Sequence, residues 1–292
     1  MHNNRPPLCI YHGNCADGFG SAWVVRKYFQ EKMREPIEFH AGIYQNPPPD
    51  VTGRVVYMVD FSYKADVLKE MAAKALRINV IDHHKTAQAE LESIKDVPGI
   101  YAVFDMERSG AGLTWDTLFP EERRPDLINY IEDRDLWRFK LDRSREVSAS
   151  IFSYPYDFDV WDGLMHAAVL PKLKTEGEAI DRKHYKDINE LLDVLVRPMR
   201  IGGSLVPVAN LPYTMGSDAG HILCERPFIP ANKLPDFAAY YYDTENGRVF
   251  GMRSIEGGRD VSEVAKLYGG GGHKHAAGFR VSYSDAAQFL PM

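Results

Sequence analysis

At 292 residues the chain exceeds the usual size of one domain, so two domains are expected, with ample apolar material for two cores at 45% hydrophobic residues. The formal net charge of −6 is not that of a protein holding long nucleic acid, which normally presents a strongly basic surface. No apolar run approaches the roughly 20 residues that cross a bilayer. The polar start, Met1 to Pro7, does not read as a secretory signal. Cys9, Cys15 and Cys224 are an odd, scattered set without CxxC spacing, which argues for a reducing compartment, with cytoplasm as the default.

In chain order, Leu8 to His12 is a short apolar strand, followed by a glycine-containing turn and a helical stretch from Gly18 to about Met33. Val55 to Asp60 is a second strand, continuous in apolar residues as befits burial on both faces. Helical periodicity follows from Lys64 to Lys74, then a third strand at Arg77 to Asp82 and a weaker fourth at Tyr101 to Phe104. Alternation of β and α at this spacing predicts an α/β fold with a mostly parallel sheet. Residues 109–195 read as chiefly helical, with a long helix from Gly177 to Val196. Trp115, Trp137 and Trp161 are expected in the core. Arg197-Pro198 and Gly202-Gly203 interrupt the pattern, so 1–196 is expected as the catalytic domain, 197–203 as a linker and 204–292 as a smaller mixed α/β domain. Strands recur there at Leu205 to Ala209, Phe237 to Tyr242, Val249 to Ser254 and Gly278 to Ser282, with a helix from Val261 to Tyr268.

The chemistry concentrates at strand ends. Open parallel sheets bind ligands at the carboxyl ends of their strands. His12 ends the first strand with Asp17 in the next turn, Asp60 ends the second, and Asp82-His83-His84 ends the third. A single Asp in such a place is usually a helix cap or turn former. Three successive strand ends carrying carboxylates and imidazoles match instead the ligand preference of Mn²⁺ or Mg²⁺. Asp82 can bind metal or orient an imidazole. In the C-terminal half, Gly269 to Gly272 followed by His273 offers backbone N–H groups to an anion, and Arg253 closes the strand before it.

These motifs resemble the DHH phosphoesterases, a family that includes RecJ-type exonucleases, nanoRNase-type oligoribonucleases, cyclic dinucleotide phosphodiesterases and family II pyrophosphatases. The carriers are HGNCADGFGS (His12 to Ser21), the Asp of YMVDFS (Asp60), IDHHKT (Ile81 to Thr86), YIEDRDLW (Tyr130 to Trp137) and GGGGHKHAAGF (Gly269 to Phe279). The resemblance implies two Mn²⁺ or Mg²⁺ ions held by His12, Asp17, Asp60, His83 and Asp133, with Asp60 bridging and Asp135 a competitor for the place of Asp133. It implies His84 and Asp82 as catalytic residues, and Arg253, Gly271, Gly272 and His273 as substrate-binding residues facing the site across an interdomain cleft. The implied reaction is water attack on the phosphodiester of a short oligonucleotide, dinucleotide or nucleotide phosphate, with no long duplex and no membrane as partner; a homodimer is compatible with it. Alternatives are a pyrophosphatase or exopolyphosphatase, or a nucleotide-binding protein weakened in catalysis. One departure stands out: Cys15 occupies a position where the family usually has Asp, which implies a softer metal, a weakened site, or a ligand from water or Asn14.

Overall fold

The computed structural model of the chain describes residues 5–228 and 233–289; residues 1–4 of the polar start lie outside them. Two compact units divide the chain, one ending at Asp181 and the other beginning at Arg182.

The first unit is built on five parallel strands: β1 (Leu8–His12), β2 (Glu38–Gly42), β3 (Val55–Val59), β4 (Arg77–Asp82) and β5 (Ile100–Phe104). Their order across the sheet is β2-β1-β3-β4-β5. The helices are α1 (Ala16–Tyr28), α2 (Ala65–Ala72), α3 (Lys85–Glu92), α4 (Gly110–Leu118), α5 (Asp126–Asp135), α6 (Ser144–Ile151), α7 (Phe158–Leu164) and the first part of the long α8 (Leu170–Leu195). Apolar layers cover both faces of the sheet, which is why its strands read as near-continuous hydrophobic runs. Ile10, Met58, Val80 and Ile78 pack with Phe61 and Leu68 on one face, whereas Cys9, Val59 and Ile81 pack with Ala22, Val25 and Leu113 on the other. A further helical core gathers Phe19, Trp23, Trp115, Ile128 and Trp161.

Strand β2 is not evident in the sequence because its residues, EFHAG, carry little apolar signal and are only partly buried at the sheet edge. Trp115 and Trp161 are core, as expected, with 2% and 0% exposure. Trp137 is not: it sits half-buried in a left-handed backbone conformation (φ 56°), with the Arg134 guanidinium 4.2 Å from its ring centroid. Its place is an arginine–aromatic stack rather than the core.

The second unit holds a mixed six-stranded sheet of order β10-β11-β9-β8-β7-β6. Its strands are β6 (Arg197–Ile201), β7 (Ser204–Asn210), β8 (Ala238–Thr244), β9 (Gly247–Arg253), β10 (Gly271–Gly272) and β11 (Ala276–Val281). Helices α9 (Tyr213–Glu225), α10 (Val261–Lys266) and α11 (Tyr283–Ala286) complete it. Residues 197–203, expected as a linker, instead form β6 and a Gly202-Gly203 turn, pairing antiparallel with β7. Pro198 is tolerated because β6 is an edge strand of the sheet. Among the described residues, no helix is long and apolar enough to cross a membrane.

Candidate metal centre

In the parallel sheet the strand order reverses between β1 and β3, where β1 continues to one side and β3 to the other. A crevice opens at the carboxyl ends of such a pair. His12 ends β1 and Asp60 immediately follows β3, so both stand at this switch point. His12 Nδ1 lies 3.5 Å from Asp60 Oδ2. On the other side, His83 Nε2 lies 3.1 Å from Asp60 Oδ1, 3.6 Å from Asp17 and 3.5 Å from Asp135. Asp60 therefore stands between two imidazoles from neighbouring strand ends. Its backbone is left-handed (φ 52°), a conformation rare for a residue with a side chain and frequent at functional sites.

Asp17 is held by a third element. Its two carboxylate oxygens accept hydrogen bonds from the first backbone N–H groups of α4, Gly110 at 2.5 Å and Ala111 at 2.9 Å. The open N–H groups and positive end of that helix favour a carboxylate there. Close approach demands glycine at two points. A Cβ on Gly18 would lie 2.2 Å from the His12 carbonyl oxygen, and one on Gly110 would lie 2.4 Å from the Asp60 Cβ.

The DHH triplet divides its labour. Asp82 Oδ1 accepts from His84 Nδ1 at 2.7 Å and from the His83 backbone N–H at 2.8 Å. Asp82 thus fixes the ring of His84 and the turn that presents His83.

Asp133 and Asp135 separate cleanly. The Asp133 oxygens accept from the backbone N–H groups of Lys140 at 2.9 Å and Leu141 at 3.1 Å, closing the loop after α5. The nearby Ser144 hydroxyl, these two bonds and the Arg138 charge hold its carboxyl below the ordinary range against the opposing effect of burial. Asp133, expected among the ligands, is a loop fastener; Asp135, two residues on, is the carboxylate beside His83. The two lie about 200° apart around a helix, so one cannot replace the other.

Charge is concentrated here. Burial opposes ionisation of Asp60, but its contacts with His12 and His83 outweigh this and hold the carboxyl far below the usual range. Burial and the neighbouring Asp60 and Asp135 charges push Asp17 well above it. Desolvation and the Asp60 charge likewise raise Asp135, against the pull of His83. Both imidazoles are raised well above the usual value despite burial, His83 chiefly by Asp135 and Asp60, His12 chiefly by Asp60 and Cys15. The Oδ2 atoms of Asp60 and Asp82 are buried without a hydrogen-bond donor. Within this unit three groups of donor atoms are each clustered within 4.8 Å: His12–Cys15–Asp60, Asp17–His83–Asp135 and Asp60–Asp82–His84. Convergent acceptors, orphaned carboxylate oxygens and imidazole nitrogens fit divalent cations.

Tyr44 was missed in the sequence. It follows β2, its ring centroid 5.4 Å from that of His12 and 6.1 Å from that of His84. Recognising β2 as a strand would have placed Tyr44 at the same carboxyl edge.

In the second unit Arg253 ends β9, and its guanidinium donates to Ser217 Oγ at 3.1 Å and the Met252 carbonyl at 2.8 Å. The glycine run is less open than expected. Gly269 and Gly270 donate their N–H groups to Lys266 and Ala265 carbonyls, while Gly271 and Gly272 pair with Gly278 and Ala277 across a hairpin. His273 closes the hairpin through its N–H to the Ala276 carbonyl, at 2.8 Å. Close strand pairing therefore accounts for these glycines in part.

No family model matches the chain. The uncharacterized protein R106 of Acanthamoeba polyphaga mimivirus is 28% identical over 297 residues, covering 97% of this chain and 69% of its own. Among solved structures, RecJ in complex with Mn²⁺ from Thermus thermophilus is similar with a TM-score of 0.49 and 14% identity, over 98% of this chain and 52% of that one. The pGpG-specific phosphodiesterase PggH from Vibrio cholerae is similar with a TM-score of 0.44 and 16% identity, over 97% and 96% of the two chains.

Proposed function

We propose that this chain is a divalent-metal-dependent phosphoesterase of the DHH type, hydrolysing phosphodiester bonds in short oligonucleotides or dinucleotides. The observation that carries this reading is the position of Asp60, buried between His12 and His83 with one carboxylate oxygen lacking any hydrogen-bond donor. A carboxylate so placed, with Asp17 and Asp135 beside it, is costly unless cations neutralise the cluster. His12 and Asp60 would hold one cation, and Asp17, Asp60, His83 and Asp135 the other. Bound there, Mn²⁺ or Mg²⁺ would supply Lewis acidity toward phosphoryl oxygen and lower the pKa of water.

The remaining roles belong to side chains. Asp82 holds the His84 ring, and His84 would hydrogen-bond the scissile phosphate and deliver a proton to the leaving oxygen. Arg253 would grip a second phosphate through its fork of donors, and His273 would assist it. The net charge of −6 disfavours long nucleic acid and favours a short substrate. A panel of short RNA, cyclic dinucleotides, 3′,5′-bisphosphonucleoside and pyrophosphate, run with Mn²⁺, Mg²⁺ and Zn²⁺ in parallel, tests the proposal. Hydrolysis of short RNA or dinucleotides, abolished in Asp60→Ala, is expected. Pyrophosphate as the sole substrate, or undiminished turnover by Asp60→Ala, would overturn it.

A further inference from the structure

Cys15 stands at the N-cap of α1 in extended conformation (φ −131°, ψ 137°), and its side chain makes no capping hydrogen bond. Helices favour Ser, Thr, Asp or Asn there because the side-chain oxygen accepts from an open N–H. The thiol is thus not placed to serve the helix. Its sulfur instead joins an imidazole nitrogen of His12 and a carboxylate oxygen of Asp60, the three donors within 4.8 Å of one another. A second observation points to a ligand at this spot: Asp60 is 1% exposed and its Oδ2, 3.5 Å from His12 Nδ1, is buried with no hydrogen-bond donor. The other two thiols are different in kind. Cys9 is sealed in the core at 0% exposure, and Cys224 donates to the Arg253 carbonyl at 3.0 Å.

The His12–Cys15–Asp60 and Asp17–His83–Asp135 groups also differ in chemistry. Asp17, His83 and Asp135 offer two carboxylates and one imidazole, a hard set suited to Mn²⁺ or Mg²⁺. His12, Cys15 and Asp60 offer sulfur, nitrogen and oxygen. Thiolate is a soft ligand that favours Zn²⁺ and disfavours Mg²⁺ and Mn²⁺. Resting on the metal-centre reading proposed above, we infer that Cys15 is a thiolate ligand and makes the centre a mixed one. Zn²⁺ takes the His12–Cys15–Asp60 position and a harder cation the position of Asp17, His83 and Asp135, with Asp60 between them.

Cobaltous ion is the probe, because a sulfur–Co²⁺ bond adds charge-transfer absorption in the near ultraviolet whereas nitrogen and oxygen ligands give visible bands alone. Co²⁺ is titrated into the full, metal-free chain and into Cys15→Ser and Cys15→Asp. Both substitutions place a favoured capping residue at the helix start, so the fold is retained, which far-ultraviolet circular dichroism verifies. The expected result is a charge-transfer band in the native chain that both variants lack while keeping visible Co²⁺ bands. Competition of Zn²⁺ against Mn²⁺ provides a second measure. Cys15→Asp should reduce Zn²⁺ preference by more than the roughly tenfold that loss of an outer partner typically costs. Visible Co²⁺ bands without the sulfur band in the native chain would overturn thiolate ligation and leave the metal centre standing. Failure of the native chain to bind Co²⁺, Zn²⁺ or Mn²⁺ would overturn both.

Discussion

Gly110 packs so closely on Asp60 that a methyl group on its Cα would lie 2.4 Å from the Asp60 Cβ and 2.8 Å from its Oδ1. Because the Gly110 N–H also holds Asp17, one residue without a side chain sets the position of two carboxylates. Gly110→Ala is therefore expected to push both apart. Overpacking of this kind costs about 1–3 kcal/mol, so the melting temperature falls while the fold survives. Mn²⁺ affinity measured by calorimetry should drop with it; affinity equal to that of the native chain would contradict the packing argument.

The neighbouring carboxylates of α5 should respond oppositely to removal. Asp133→Ala leaves the Lys140 and Leu141 N–H groups without their acceptor and should cost about 1–3 kcal/mol of stability, with metal stoichiometry retained. Asp135→Asn should leave stability unchanged or raised, since it relieves like-charge crowding beside Asp60 and Asp17, yet weaken metal binding. Denaturant melts paired with metal titrations separate the two. A loss of metal by Asp133→Ala at unchanged stability would reverse the assignment.

Metal affinity should fall as pH is lowered. His12, His83, Asp17 and Asp135 all have raised values, so the metal-free site keeps protons to higher pH than isolated side chains would. A cation must displace them. Affinity should therefore weaken already above the ordinary imidazole value of about 6.5, and binding should release protons. Asp60, held low, stays ionised and adds nothing to this slope. Calorimetry in buffers of different ionisation enthalpy counts the protons; none released would contradict the charge distribution described.

At the sheet edge, Arg54 is 3% exposed and pairs with Glu38 on β2. Glu38→Ala leaves a buried guanidinium without its partner and should destabilise the fold by about 1–3 kcal/mol. Replacing Arg54 by Met should be much milder, because an apolar group of similar volume removes the desolvation cost together with the ion pair. Thermal melts of both variants decide; equal losses would mean that the ion pair itself dominates.

Much of this molecule is legible in its sequence. Apolar runs of strand length separated by helical stretches specify a parallel sheet covered on both faces. The carboxyl ends of those strands marked His12, Asp60 and Asp82-His83-His84, because local pattern and sheet chirality decide where strand ends fall. Strand β2 stayed hidden because an edge strand with one thin apolar face has little periodic signal, and Tyr44 was hidden with it. The hairpin at 197–203 was hidden because Pro and Gly punctuate strands and linkers alike.

Chain order alone assigned residue types to strand ends; packing alone decided which of them meet. Asp133 and Asp135 are indistinguishable by composition and neighbourhood, and only the turn of α5 about its axis directs one to a loop and the other to His83. The N-terminus of α4, more than ninety residues from Asp17 in sequence, holds that carboxylate through contacts no local pattern encodes. Long-range side-chain meetings depend on how elements pack, and packing is a property of the whole chain.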